Sequence, residues 1–281
     1  MDDEANDSRY SRRSLLCGVG GISAACLVPG SLHSQTLSES ADSSTDGIPD
    51  HLKQSPVFTT YLSDRYDLTY FDGLSVDAHD LLLDVRTVGD LEIPDTVIQF
   101  LRDTFADHGI RLHWLDFHNR YNETTFYDRY GPNSRSILWA RDSFYHNEVA
   151  DRMQNIALQV IIIQGIRSGQ HRGKIYSYWA DLLGERGGFI NGMNFGNRIV
   201  LAERADPWEQ TRLLFHEIAH LALCHDSNPS NTGVMGTNQS LSLTANEWEL
   251  LRANLDNVSD RTGADVVFRE CLWTDDFGGI G

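Results

Sequence analysis

The stretch 206–223 constrains this chain more than any other, because it reads as one buried helix that nevertheless carries titratable groups. It opens with Asp206 as N-cap, Pro207 at the first helical position and Glu209 three residues past the cap. Leu213, Leu214, Phe215, Ile218, Ala219, Leu221, Ala222 and Leu223 then leave little of its surface for water. Among them stand His216, Glu217 and His220. At 3.6 residues per turn the two histidines share a face, one turn apart. Imidazoles so placed can hold one Zn²⁺ through ring nitrogens at about 2.0–2.1 Å. Glu217, one residue on, is placed to take a proton from a metal-activated water rather than to bind the metal. Without a metal, the same cluster buries polar groups that need other partners.

A catalytic zinc takes three protein ligands and keeps one open position. The next ligand types along the chain are His225 and Asp226. With these residues the segment resembles the metzincins, zinc endopeptidases with the pattern H-E-x-x-H-x-x-G-x-x-H and a downstream methionine turn. Leu223 stands at the family's glycine position, and strict counting puts Asp226 at the last ligand, as in the snapalysin-like branch, with His225 one residue early. Imidazole is the more frequent zinc ligand, so His225 is preferred over Asp226 as third ligand. Asn-Thr-Gly-Val-Met-Gly at 231–236 is similar to the methionine turn, and the resemblance implies that Met235 packs beneath the ligands without coordinating. Thr244 and Glu247 form a capping box that opens a final helix through about residue 255. A gluzincin-type peptidase, with Glu247 or Glu249 as third ligand, is the rival enzyme. A catalytically inactive surface-binding domain with a closed zinc site, its fourth ligand supplied by Cys271, is the rival from another class.

The first 28 residues read as a targeting segment. Ser11-Arg12-Arg13-Ser14-Leu15-Leu16 matches the twin-arginine export pattern, and a short small-and-apolar run follows. Cys26 after Ser23-Ala24-Ala25 is a candidate lipid-anchor site, with simple cleavage as the alternative. These features place the protein outside the cell or on its surface. Residues 29–55, rich in Ser and Asp, read as a disordered tether. Inside it, Asp42-x-Ser44-x-Asp46-Gly47-Ile48-Pro49-Asp50 is a degraded Ca²⁺ loop, poor in the oxygens that ion needs, and a solvated linker is the preferred reading.

Net charge is −17, Lys53 and Lys174 are the sole lysines, and Asp outnumbers Glu by 28 to 12. Such a surface stays hydrated in strong salt, points to a halophilic source, and excludes nucleic acid, which needs a basic face. Protein or peptide substrate is the partner class that remains. Two of the four cysteines fall in the leader, so Cys224 and Cys271 either pair as a disulfide or stay as thiols.

Residues 56–281 can bury one sizeable core. Strands are expected over 80–88 and 110–117, joined by a helix over 96–108 that stops at Gly109. That makes a parallel pair with a crossover helix. Residues 148–155 read as helix, 159–164 as buried strand or continuing helix, and 175–179 and 189–201 as strands, the last a candidate edge for an extended peptide. His113, Trp114 and His118 read as core or surface positions rather than site residues. The fold class is α/β, and the resemblance implies the α+β zincin-like form: a mixed twisted sheet, crossover helix, active-site helix, methionine turn and C-terminal helix.

Overall fold

The computed structural model describes residues 41–130, 149, 151–165, 174–176, 189–194, 196–224, 233–235 and 240–258. The chain divides into two units, Met1–Thr36 and Leu37–Gly281, and all described residues belong to the second.

Period-2 hydrophobicity with both faces covered builds the centre. In β2 (His79–Thr87), Leu81, Leu83 and Val85 face one apolar cluster while Leu82 faces another. β4 (Ala157–Ile163) divides likewise, Leu158, Val160 and Ile162 against Ala157, Ile161 and Ile163. A strand buried on both faces belongs inside a parallel sheet with helices on either side. β2 accordingly pairs in parallel with β3 (Ile110–Phe117) and with β4, and β4 pairs in parallel with β8 (Arg198–Ala202). Antiparallel strands close both ends: β1 (Tyr66–Tyr70) on β3, and β7 (Gly192–Asn194) on β8. The six-stranded order is β1-β3-β2-β4-β8-β7, and β5 (Ile175–Tyr176) and β6 (Phe189–Ile190) form a separate two-stranded ladder. The fold is therefore mixed α/β.

Among the helices, α1 (Asp50–Lys53) and α2 (Pro56–Ser63) precede the sheet. The crossover between β2 and β3 is α3 (Asp95–Ala106), ended by a turn at Gly109 with φ 78°. Then come α4 (Glu123–Tyr130), α5 (Asp151–Gln154), α6 (Pro207–Ala219) and α7 (Ala245–Ala253). Trp248 of α7 meets both Phe105 of α3 and Phe215 of α6, with ring centroids 5.1 and 5.5 Å apart, which locks these three helices over one sheet face. No helix among the described residues is long and apolar enough to cross a membrane.

Three expectations are corrected. Residues 41–55 are not a solvated tether: Ile48, Asp46 and Lys53 are buried, and Asp46 and Lys53 bond to Ser75, Ala78 and Asp80 of the domain. The reason is that its charged side chains turn inward onto one another. Residues 189–201 are not one strand. Gly196, at φ 79°, turns the chain between β7 and β8, so the sheet ends on Gly192–Asn194 alone. Finally, the helix expected over 148–155 is confined to Asp151–Gln154 among the described residues, while 159–164, left open between strand and helix, lies in β4 as far as Ile163. Of the stretch 175–179, residues 177–179 lie outside the described residues. His113 and Trp114 are core, and His118 is exposed.

Candidate metal centre

The helix start is as the sequence implies. The Asp206 carboxylate accepts the Trp208 N–H at 2.9 Å, and Pro207 sits where no N–H is needed. The helix end is not. Regular α-helix stops at Ala219, with His220 as C-cap at φ −63°, ψ −5°. Leu221 and Ala222 then bond back over three residues, to Ile218 and Ala219, and the chain leaves through tight turns. Thr45 is the one described non-glycine residue with positive φ, so Leu223 departs without the left-handed conformation that a glycine would permit.

This early unwinding orients one imidazole. His220 Nδ1 lies 2.9 Å from the Leu223 carbonyl oxygen, and His216 Nδ1 lies 2.9 Å from the Val234 carbonyl oxygen. A carbonyl can only accept, so each Nδ1 carries the hydrogen and each neutral ring presents a lone pair at Nε2. Those two Nε2 atoms face one another at 3.2 Å, with the rings at 83°. Two ligands held about 2.05 Å from a tetrahedral zinc stand about 3.3 Å apart. Outer donation from Nδ1–H to a backbone carbonyl is also the usual support of a metal-binding histidine. The pair therefore fits a zinc ion in both spacing and tautomer.

Val234 belongs to the expected methionine turn. Its N–H donates to the Ser242 carbonyl at 2.8 Å, and Met235 is buried in the same apolar cluster as Leu214 and Ile218. His225 and Asp226, the alternative third ligands, lie outside the described residues, as does Cys271. Among the described residues, no group of three or more His, Cys, Asp and Glu side chains gathers as a metal cage. Glu247 is engaged elsewhere: its carboxylate accepts the Thr244 N–H at 2.6 Å in the capping box. Glu249 is exposed. Cys224 is in a disulfide, so it is not a thiol beside the histidines.

Glu217 is buried, and burial pushes its carboxyl up to about 8, against a partial opposing pull from the Asn194 N–H and the Arg212 charge. Its lodging is built by β7. The Asn194 side-chain amide donates to the Glu217 carbonyl at 2.6 Å, fastening the sheet edge to α6. Gly192 passes so close that a Cβ there would come within 2.9 Å of Glu217 Oε1 and 2.6 Å of Leu201 Cδ2. Sequence reading missed Gly192 and Asn194 as partners of the site, and also the carbonyls of Leu223 and Val234. The Gly/Asn content of 189–201 was the only available hint.

No family model, curated protein or solved structure matches this chain. Its functional reading rests on its own geometry.

Proposed function

We propose that the chain is a zinc-dependent endopeptidase of zincin-like architecture, with Glu217 as general base. The observation that carries the reading is the convergence of His216 and His220 Nε2 at 3.2 Å while both Nδ1 atoms are committed to carbonyls. Zinc, when bound, supplies an activated water and a Lewis acid for the scissile carbonyl. His216 and His220 hold the ion, with His225 or Asp226 completing the set. Glu217 accepts the water's proton on its carboxylate and returns it to the leaving amine. β7, the last strand of the sheet order and fastened to α6 through Asn194, is the strand along which an extended peptide would add. The leader assigns this activity to the cell surface or exterior.

The test is metal analysis with casein cleavage in concentrated salt. Wild type should carry one zinc and lose cleavage on chelation, and Glu217→Gln should keep the metal while losing nearly all turnover. Cleavage retained in Glu217→Gln, or stoichiometric metal absent from wild type, overturns the reading. Replacing His225 and Asp226 in turn identifies the third ligand by which variant loses zinc. Under the gluzincin alternative the double replacement keeps it, but the capping role of Glu247 disfavours that alternative.

A further inference from the structure

Residues 42–53 have the spacing of a twelve-residue divalent-cation loop. Such a loop takes oxygen ligands from positions 1, 3, 5, 7 and 9, needs glycine at position 6 for a sharp turn, and closes with a bidentate Glu at position 12. Here Asp42, Ser44 and Asp46 fill 1, 3 and 5, Gly47 fills 6, Asp50 fills 9, and position 12 is Lys53. The backbone follows the pattern. Gly47 has φ 83°, and the Asp42 carboxylate accepts the Gly47 N–H at 2.7 Å and the Ser44 hydroxyl at 3.2 Å. The Asp50 carboxylate ties back to Ser43 through its N–H at 2.9 Å and hydroxyl at 2.6 Å.

The Lys53 ammonium lies inside the loop. Its Nζ is 2.5 Å from Ser44 Oγ and 2.5 Å from Asp46 Oδ2, the ligand atoms of positions 3 and 5. From the main body it gathers the carbonyls of Ser75 at 3.2 Å and Ala78 at 3.3 Å, with Asp80 Oδ2 at 3.6 Å. The side chains of Lys53, Asp46 and Asp80 are wholly buried. Charge is allotted with little surplus: Asp80 Oδ1 meets the Arg111 cation at 2.6 Å and His113 at 2.8 Å, while its Oδ2, which also accepts the Ser75 N–H at 3.0 Å, and Asp46 face the ammonium. Asp46 Oδ2 also accepts the Asp80 N–H at 2.6 Å, joining the loop directly to the start of β2. A compact point charge with three donors is the side chain best able to stand in for a bound cation.

We propose that Lys53 is the resident cation of this loop: its ammonium occupies the place of a divalent ion and clasps the N-terminal segment to the sheet without metal. The clasp is therefore indifferent to calcium, and the inference stands apart from the peptidase reading. Exchanging Lys53 for the Glu of an ordinary loop should convert it into a calcium site.

The test uses the full chain, dialysed free of calcium and kept in constant salt, with CaCl₂ as probe. Thermal melting, calorimetric titration and proteolytic nicking within 42–53 are read for wild type, Lys53→Glu and Lys53→Met. Wild type should melt at the same temperature with and without CaCl₂ and show no heat of binding. Lys53→Glu should bind one Ca²⁺ and melt several degrees higher with it, by mass action. Lys53→Met, similar in length but uncharged, should melt lower and be nicked faster within the loop. A calcium-dependent rise in wild-type melting, or Lys53→Met behaving as wild type in both melting and nicking, overturns the proposal. If Lys53→Glu does not fold, those two measurements decide it.

Discussion

Glu217→Gln has a second consequence besides lost turnover, one measured on the metal-free protein. The Glu217 carboxyl is held to about 8 by burial, against an ordinary 4.5. Below about 4.5 it is protonated whether the chain is folded or not, and it contributes no pH dependence. Between those values the unfolded chain ionises while the folded one keeps its proton, so the folded state binds more protons and stability falls as pH rises. The slope is about 1.4 kcal/mol per pH unit, with a ceiling of about 5 kcal/mol reached near pH 8. Glutamine cannot ionise and removes this component alone. The assay is urea unfolding of chelator-treated wild type and variant at pH 5, 6, 7 and 8, followed by far-UV circular dichroism. The variant's advantage should grow steadily across that series, and zinc should shrink it by placing a cation beside the wild-type carboxylate. A difference between the two proteins that stays flat with pH refutes the claim that Glu217 is desolvated in the fold.

Other substitutions probe the surroundings. Gly192→Ala drives a methyl into Leu201 and Glu217 Oε1; it should cost about 1–3 kcal/mol in denaturant titration and reduce turnover with little loss of zinc. Arg86 is buried against Asp84, its Nε 2.9 Å from Oδ1, and Tyr66 donates to the same carboxylate at 3.0 Å. Asp84→Ala should therefore cost about 3–5 kcal/mol by leaving the buried guanidinium without its carboxylate, whereas the double variant Asp84→Leu with Arg86→Met should recover most of it in the same titration. Thr244→Ala removes the capping box of α7 and should cost about 1 kcal/mol by thermal melting.

What could be read from sequence was whatever local periodicity decides. β2, α3 and β3 followed from alternation, helical spacing and Gly109, and the N-cap of α6 and capping box of α7 followed from residue type at fixed offsets. His216, Glu217 and His220 were legible for the same reason. Features set by tertiary contact were not. A backbone carbonyl has no signature in sequence, so the Leu223 and Val234 oxygens that orient the imidazoles could not be foreseen. The end of α6 at Ala219, four residues before the apolar run stops, is another case, since that run continues through the turns. β1 was overlooked although Tyr66, Leu68 and Tyr70 alternate with Asp67 and Thr69, because a five-residue edge strand gives a weak pattern. The stretch 41–55 misled most: its composition is that of a linker, and only the placement of Lys53 shows where its carboxylates and hydroxyls turn.

The two histidines are steered by supports of different origin. One ring is steered from a turn eighteen positions downstream, the other by the frayed finish of its own helix. If the chain holds zinc as proposed, ion retention gauges how well that distant loop is seated. In a gentle denaturant ramp the protein should shed its ion while its circular dichroism is still native, and a dye that reports free zinc would signal the loss before any spectrum moved.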